Sequence, residues 1–81
     1  MKNKKNKDYL KKIVDNFLVK KNGKNILKNI EKKNLINEGL IDSLDIFTLG
    51  SLIEKKIKKK ITISDQKIFK KFSSYKKLIN L

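Results

Sequence analysis

The sequence predicts a small all-α domain, and three observations support this fold class. Apolar residues recur at helical spacing in two segments, residues 9–18 and 44–57. No pair of candidate strands is joined by a turn signal. The chain has 81 residues, enough for one domain. We therefore expect a single domain over residues 1–81: a bundle of three main helices and a short extra helix, with a long connection between the first and second helices.

The first helix is predicted to begin at Asp8, a plausible N-cap, and to stop at Gly23. Residues 1–7 contain only Lys and Asn after Met1, which predicts a basic, flexible N-terminal arm. The apolar face of the helix consists of Tyr9, Leu10, Ile13, Val14, Phe17 and Leu18. This spacing predicts that one side of the helix packs on the core.

Residues 24–42 are less periodic and predict a long connection. A short helical turn is expected at Ile26, Leu27 and Ile30. Four further apolar residues should pin the connection to the core: Leu35, Ile36, Leu40 and Ile41.

The second helix is predicted to begin at Asp42 or Ser43 and to end near Lys58. At about 100° per residue, one stripe should be buried: Ile46, Leu49, Ile53 and Ile57. Leu44 and Phe47 fall outside this stripe and should be exposed. Gly50 inside the helix costs about 1 kcal/mol relative to Ala, and close packing is the reason that we infer for it.

The last third of the chain predicts two brief helices after a short extended segment at Ile61–Ile63. Ser64 or Asp65 can cap a helix that carries Ile68 and Phe69. Ser73 or Ser74 can cap a final helix, whose apolar residues are Tyr75, Leu78 and Ile79.

The net charge of +14 comes from 22 basic residues, all lysines, against eight acids. Residues 1–33 and 55–81 each carry a net charge of +9, whereas residues 34–54 contain four acids and no lysine. Such basicity suggests a polyanion partner, so a basic nucleic-acid-binding or anionic-membrane-binding helical protein is the alternative function. We expect no specific nucleic acid, because base readout favours Arg and because Tyr9 and Phe17 lie on the apolar face predicted to be core.

The composition also excludes several kinds of site. The chain has no Cys and no His, which excludes disulfides, Cys or His zinc sites and a His general base. We therefore expect no metal site. No apolar run approaches the roughly 20 residues of a membrane span, and the N-terminus lacks the apolar region of a secretory signal. These features predict a cytoplasmic protein.

The lysine-free window, residues 34–54, contains the sequence EGLIDSLD with Ser43 near its centre. Ser43 has no His, and no Lys in this window, to deprotonate it. Asp42 and Asp45 are near in sequence, but a surface Asp is a poor base for a serine hydroxyl, so we expect no enzymatic activity. One interpretation is purely structural: Ser43 or Asp42 caps the second helix, and Asp42 with Asp45 forms a capping pair. The other is that Ser43 receives a phosphate-linked group, because a helix N-terminus favours a phosphodiester.

EGLIDSLD, followed by LGSLIEKKI, resembles the acyl carrier protein family. In that family, the serine of an Asp-Ser-Leu motif opens the second helix and carries 4'-phosphopantetheine. The matching residues here are Asp42, Ser43 and Leu44. The flanking pattern also matches, at Gly39, Leu40, Asp45, Leu49, Ile53, Ile57 and Ile61. The resemblance covers residues 8–81. The chain is similar to a specialised stand-alone member of the family.

The resemblance implies a monomeric carrier rather than an enzyme. A phosphopantetheinyl transferase would attach the arm of coenzyme A to Ser43, and the arm would hold an acyl or aminoacyl group as a thioester. An acyl-loading ligase or synthase and acyl-transferring enzymes would dock on the second helix. Partner contacts are expected at Leu44 and Phe47 and at the acids Asp42, Asp45 and Glu54.

The chain also departs from the family in its charge. Members are typically acidic, whereas Lys55 and Lys56 here reverse the sign at the end of the second helix. This departure favours a specialised pathway, such as surface-polysaccharide modification, polyketide-like synthesis or aminoacyl carriage, over general fatty acid biosynthesis. A domain that keeps the fold without the arm, as an interaction module, is a further alternative.

Overall fold

The computed structural model describes residues 2–81, with the side chains of residues 8–81. It contains four α-helices: α1 (Lys2–Asn22), α2 (Ser43–Ile57), α3 (Gln66–Lys71) and α4 (Tyr75–Ile79). Two 3-10 helices, Lys24–Leu27 and Ile30–Lys32, lie between α1 and α2. No strand occurs within residues 2–81, where the only β-type contact found is a single bridge between Asn34 and Ser74. The predicted all-α fold is confirmed.

The start of α1 differs from the prediction. The helix begins at Lys2, so the predicted N-cap at Asp8 is wrong. Residues 2–7 contain neither Gly nor Pro, and Lys is among the better helix formers, so nothing in this segment forces the helix to start later. The side chains of residues 1–7 lie outside the described part of the structure, and the predicted flexibility of this arm lies outside it as well.

The end of α1 agrees with the prediction. Asn22 is the last helical residue, and Gly23 follows with a φ of 93°. A residue with a side chain rarely adopts this conformation, so glycine is needed here for the chain to leave the helix. The Gly23 N–H still donates to the carbonyl oxygen of Val19 at 2.7 Å, which satisfies one of the last helical acceptors.

All four helices and the long connection border one hydrophobic core. Its buried members are Leu10, Val14, Leu18, Ile26, Ile30, Leu35, Ile41, Ile46, Leu49, Ile53, Phe72, Tyr75, Leu78 and Ile79. Tyr9, predicted to lie on the core face of α1, is instead 40% exposed. The ammonium of Lys56, a residue of α2, lies over its ring with Nζ 4.6 Å from the ring centroid, so the contact is a cation–π interaction at the surface.

The long connection is pinned to the core as predicted. Leu35 and Ile41 are buried, and Ile36 and Leu40 are half-buried against the same cluster. Asn34 organises the first part of this segment: its Oδ1 accepts hydrogen bonds from two backbone N–H groups, those of Ile36 and Asn37. Such a side-chain cap takes the place of regular secondary structure and keeps the polar backbone satisfied.

Helix α2 buries Ile46, Leu49 and Ile53, while Ile57 is half-buried at its end. Gly50 is also buried, and a Cβ at this position would lie 3.0 Å from Ile63 Cδ1 and 3.7 Å from Phe72. Close packing therefore explains Gly50, as the sequence indicated. The glycine lets the segment before α3 lie directly against α2.

The two short helices are capped as predicted. Asp65 accepts from the Lys67 N–H at 2.8 Å and begins α3, and Ser74 is the N-cap of α4. Tyr75, at the start of α4, donates a 2.6 Å hydrogen bond from its hydroxyl to Oδ1 of Asp15 on α1. Burial and this hydrogen bond raise the pKa of Tyr75 to about 12. Within residues 2–81, no helix is both long and apolar enough to cross a membrane.

Candidate functional site

The start of α2 is fixed by a reciprocal pair of hydrogen bonds. Asp42 has an extended backbone and is the N-cap, and its Oδ1 accepts from the Asp45 N–H at 2.9 Å. Asp45 Oδ2 in turn accepts from the Asp42 N–H at 2.9 Å. This capping box satisfies donors that a helix start would otherwise leave unpaired. The capping pair inferred from the sequence is confirmed, and Asp42 rather than Ser43 is the cap.

Lys21 joins this capping box to α1. Its Nζ lies 2.6 Å from Asp45 Oδ2 and 3.8 Å from Asp42 Oδ2. Partial burial opposes ionisation of Asp45, but the hydrogen bonds from Lys21 and from the Asp42 N–H outweigh it and hold the pKa of Asp45 below its usual value. The same hydrogen bond raises the pKa of Lys21. Lys21 was not among the predicted site residues. The position of a residue along α1 does not reveal which other element the last turn of α1 faces.

The residues before Ser43 are held by α1 and by local turns. Asn22 Nδ2 donates to the carbonyl oxygen of Leu40 at 3.1 Å. Glu38 Oε2 accepts from the Asn34 N–H at 3.0 Å, which closes the loop that precedes α2. Gly39 has a φ of 72°, a conformation that favours glycine. The EGL part of the motif thus shapes the path of the chain into α2.

Ser43 is the first residue of α2 and is exposed. Within residues 8–81, no hydrogen bond to its hydroxyl is found, because the capping role falls to its neighbour Asp42. The hydroxyl therefore stands at a helix N-terminus, where the macrodipole favours negative charge. With only surface carboxylates nearby, such a hydroxyl is a poor nucleophile on its own.

The apolar surface around Ser43 is large. Leu44 is 76% exposed and Phe47 is 61% exposed, as predicted from the helical spacing. Phe47 follows Ser43 by four residues, so both side chains lie on one face of α2. Phe47, Ile63 and Phe69 contribute apolar walls to an open groove of about 700 Å³ between α2 and α3, which we call the α2–α3 groove. Ser43 therefore lies one helical turn from this groove.

The three acids predicted to meet partner proteins differ in their surroundings. The Asp42 side chain is 65% exposed and projects into solvent. The Asp45 side chain is 17% exposed, and its carboxylate pairs with Lys21 and accepts the Asp42 N–H in the capping box. Glu54 Oε1 accepts from the Ile61 N–H at 3.1 Å and holds the segment after α2. All three acids thus have structural partners, and their docking role stays a prediction.

No cluster of three or more potential metal-ligating side chains is found in the described part of the chain. Comparison of the chain with protein-family models, with curated protein sequences and with solved structures found no match.

Proposed function

We propose that this protein is an acyl carrier, which works as a monomer in the cytoplasm and carries a 4'-phosphopantetheine arm on Ser43. The observation that carries the proposal is the division of roles at the start of α2. Asp42 caps the helix, so the exposed Ser43 hydroxyl beside it is left for modification. A serine kept only for capping would be the residue whose side chain accepts the helical N–H, and Ser43 is not that residue.

The site fits a phosphopantetheine arm in charge and in access. A phosphodiester on Ser43 Oγ would sit at the N-terminus of a 15-residue helix, where partial positive charge favours an anion. In the loading step, the Oγ–phosphorus bond forms, the pyrophosphate bond of coenzyme A breaks, and adenosine 3',5'-bisphosphate leaves. The hydroxyl proton passes to a base of the transferase, because an exposed carboxylate such as that of Asp42 is a poor base for a serine hydroxyl. The arm supplies a thiol that holds the cargo as a thioester.

The surroundings of Ser43 support presentation of a cargo to other proteins. The α2–α3 groove offers apolar surface one turn from the attachment point. Leu44 and Phe47 are exposed apolar contacts for a transferase or a loading ligase, and Asp42 supplies an exposed negative charge. Exposed ion pairs contribute only about 0–1 kcal/mol each, which suits brief encounters with successive partners.

The basic end of α2 narrows the class of partner. Lys55 and Lys56 lie within the last turns of the helix that a partner would approach. A partner with a uniformly basic docking patch would meet these lysines and be repelled. We therefore propose a dedicated ligase or transferase with a mixed or acidic patch, in a specialised biosynthetic pathway, rather than the general enzymes of fatty acid synthesis.

Loading of the arm tests the proposal directly. The purified protein is incubated with coenzyme A, Mg²⁺ and a broad-specificity phosphopantetheinyl transferase, and its intact mass is measured. We expect a gain of one arm in the wild type and none in Ser43→Ala. Ser64→Ala is the matched control, since Ser64 is also exposed and borders the α2–α3 groove, and it should load normally. No gain with several transferases, or equal loading of Ser43→Ala, would overturn the proposal.

A further inference from the structure

A second groove lies on the other flank of α2, between α1 and α2. This α1–α2 groove has a volume of about 540 Å³, and its apolar residues are Ile13, Phe17 and Leu52. The large apolar side chain of Leu52 is 43% exposed. It follows Phe47 by five residues, which places the two side chains about 140° apart around the helix axis. The α1–α2 groove is therefore separate from the α2–α3 groove.

Two contacts show that α1 and α2 run antiparallel along this groove. Lys21, at the end of α1, pairs with Asp45 in the first turn of α2. Lys56, in the last turn of α2, lies over Tyr9 in the first half of α1. The lining segments, residues 13–20 and 48–56, are each about 10–12 Å long at about 1.5 Å per residue. This length matches about two turns of a third helix.

The rim of the α1–α2 groove is cationic. Lys20 lies on the α1 side, and Lys55 and Lys56 lie on the α2 side. Within the described part of the chain, no carboxylate lines the groove. An apolar floor between lysine rims is complementary to a helix with one apolar stripe and acidic flanks, the arrangement by which amphipathic helices dock in grooves.

We propose that the α1–α2 groove binds an acidic amphipathic helix of a partner protein. Lys55 and Lys56 also face the partners proposed above, but the inference does not rest on the carrier function, because it uses neither Ser43 nor the α2–α3 groove. A nucleic acid would meet the lysines but leave the apolar floor uncovered. A flat membrane surface would meet the rims of the groove before its floor and fits a groove between two helices less well than a helix does. A second copy of a chain with net charge +14 would be repelled.

A designed probe tests this proposal. The probe is a fluorescein-labelled helical peptide with Leu at i, i+3, i+4 and i+7 and Glu on both flanks. Binding is measured by fluorescence polarisation, and the contact surface is mapped by chemical-shift changes in the ¹⁵N-labelled protein. A peptide of identical composition with shuffled Leu positions controls for charge alone. Circular dichroism checks that each protein variant remains folded.

Three variants define the expected result. Lys55→Glu with Lys56→Glu should weaken binding about tenfold, because two rim attractions become repulsions. Leu52→Gln should weaken it without any change in net charge. Lys76→Glu with Lys77→Glu makes the same charge change on exposed residues of α4 and should have a smaller effect, near twofold or less.

Shift changes confined to residues 13–20 and 48–56 would support the proposal. Four outcomes would overturn it. The first is no binding of the probe, and the second is equal binding of the shuffled peptide. The third is equal weakening by the two lysine pairs, which would indicate attraction to any polyanion. The fourth is self-association of the protein in sedimentation that buries Leu52, which would identify a second copy as the occupant.

Discussion

Lys21 Nζ lies 2.6 Å from Asp45 Oδ2, and this contact joins the last turn of α1 to the first turn of α2. The same carboxylate accepts the Asp42 N–H, so one side chain serves both the helix cap and the link between helices. Ser43 directly follows Asp42, the N-cap of this helix. The attachment point proposed here is therefore held by a neighbour that is itself held by another helix.

The first prediction concerns acid stability. The pKa of Asp45 is lowered in the folded state. Its contribution to the free energy of unfolding is therefore fully present above its unfolded pKa of about 3.9. This contribution is lost as the pH falls through the lower folded pKa. Asp45→Asn keeps an acceptor for the capping box but removes the charge. The variant should be less stable at pH 7, and the difference from wild type should shrink as the pH falls from about 5 to 3.

Urea unfolding at several pH values measures this difference. Glu31→Gln is the control, because Glu31 is exposed, and its difference from wild type should stay small throughout. A stability gap for Asp45→Asn that is constant down to pH 2 would contradict the assigned role of Lys21.

The second prediction separates capping from modification. Asp42→Ala removes the N-cap acceptor and should cost about 1 kcal/mol in the free energy of unfolding. Ser43→Ala should change stability by less than about 0.5 kcal/mol, since no hydrogen bond to its hydroxyl is found within residues 8–81. Urea titration of both variants checks this. A larger loss for Ser43→Ala than for Asp42→Ala would mean that Ser43 has a structural role instead.

The third prediction tests the packing at Gly50. Ala at this position gains about 1 kcal/mol in helix propensity, but its Cβ would lie 3.0 Å from the tip of the Ile63 side chain. Ile63 lies in an irregular segment and can shift by a few tenths of an ångström, so we expect Gly50→Ala to be within about 1 kcal/mol of wild type. Gly50→Val adds γ carbons towards Ile63 and Phe72 and should lose about 1–3 kcal/mol. Equal melting temperatures for the two variants would show that the contact is not tight.

The fourth prediction concerns the hydrogen bond from Tyr75 to Asp15, which joins α4 to α1. Tyr75→Phe should cost about 1–2 kcal/mol, because the bond involves a partly buried carboxylate. The raised pKa of Tyr75 means that the protonated hydroxyl stabilises the fold below its unfolded pKa of about 10, and that this stability is lost as the pH rises through about 12. The gap between wild type and Tyr75→Phe should therefore narrow over this range.

Chemical denaturation between pH 7 and pH 12 provides the measurement. Tyr9→Phe is the matched control, because Tyr9 is exposed, and its substitution should leave stability almost unchanged. A Tyr75→Phe variant as stable as wild type at pH 7 would contradict a stabilising role for the bond.

Much of the fold was predictable because helix ends and faces follow local rules. Asp42, Asp65 and Ser74 begin helices through bonds to residues two or three positions ahead, so the sequence itself shows the partner. The exposure of Leu44 and Phe47 follows from the 3.6-residue period of the same helix. The start of α1 was missed because a single aspartate can cap a helix or lie within one, and the local sequence does not decide between them.

The sequence by itself determined the all-α class, the lysine-free window and the position of Ser43 at a helix start, since these depend on neighbours within about four residues. The tertiary structure decided the pairing of Lys21 with Asp45, the bond between Tyr75 and Asp15, and the surface position of Tyr9. It also decided that Leu52 borders a groove between lysines. These features join residues that are distant in the chain, and their contacts exist only once the helices pack against one core. A spacing rule predicts which face of a helix is buried, but it does not predict which element covers that face.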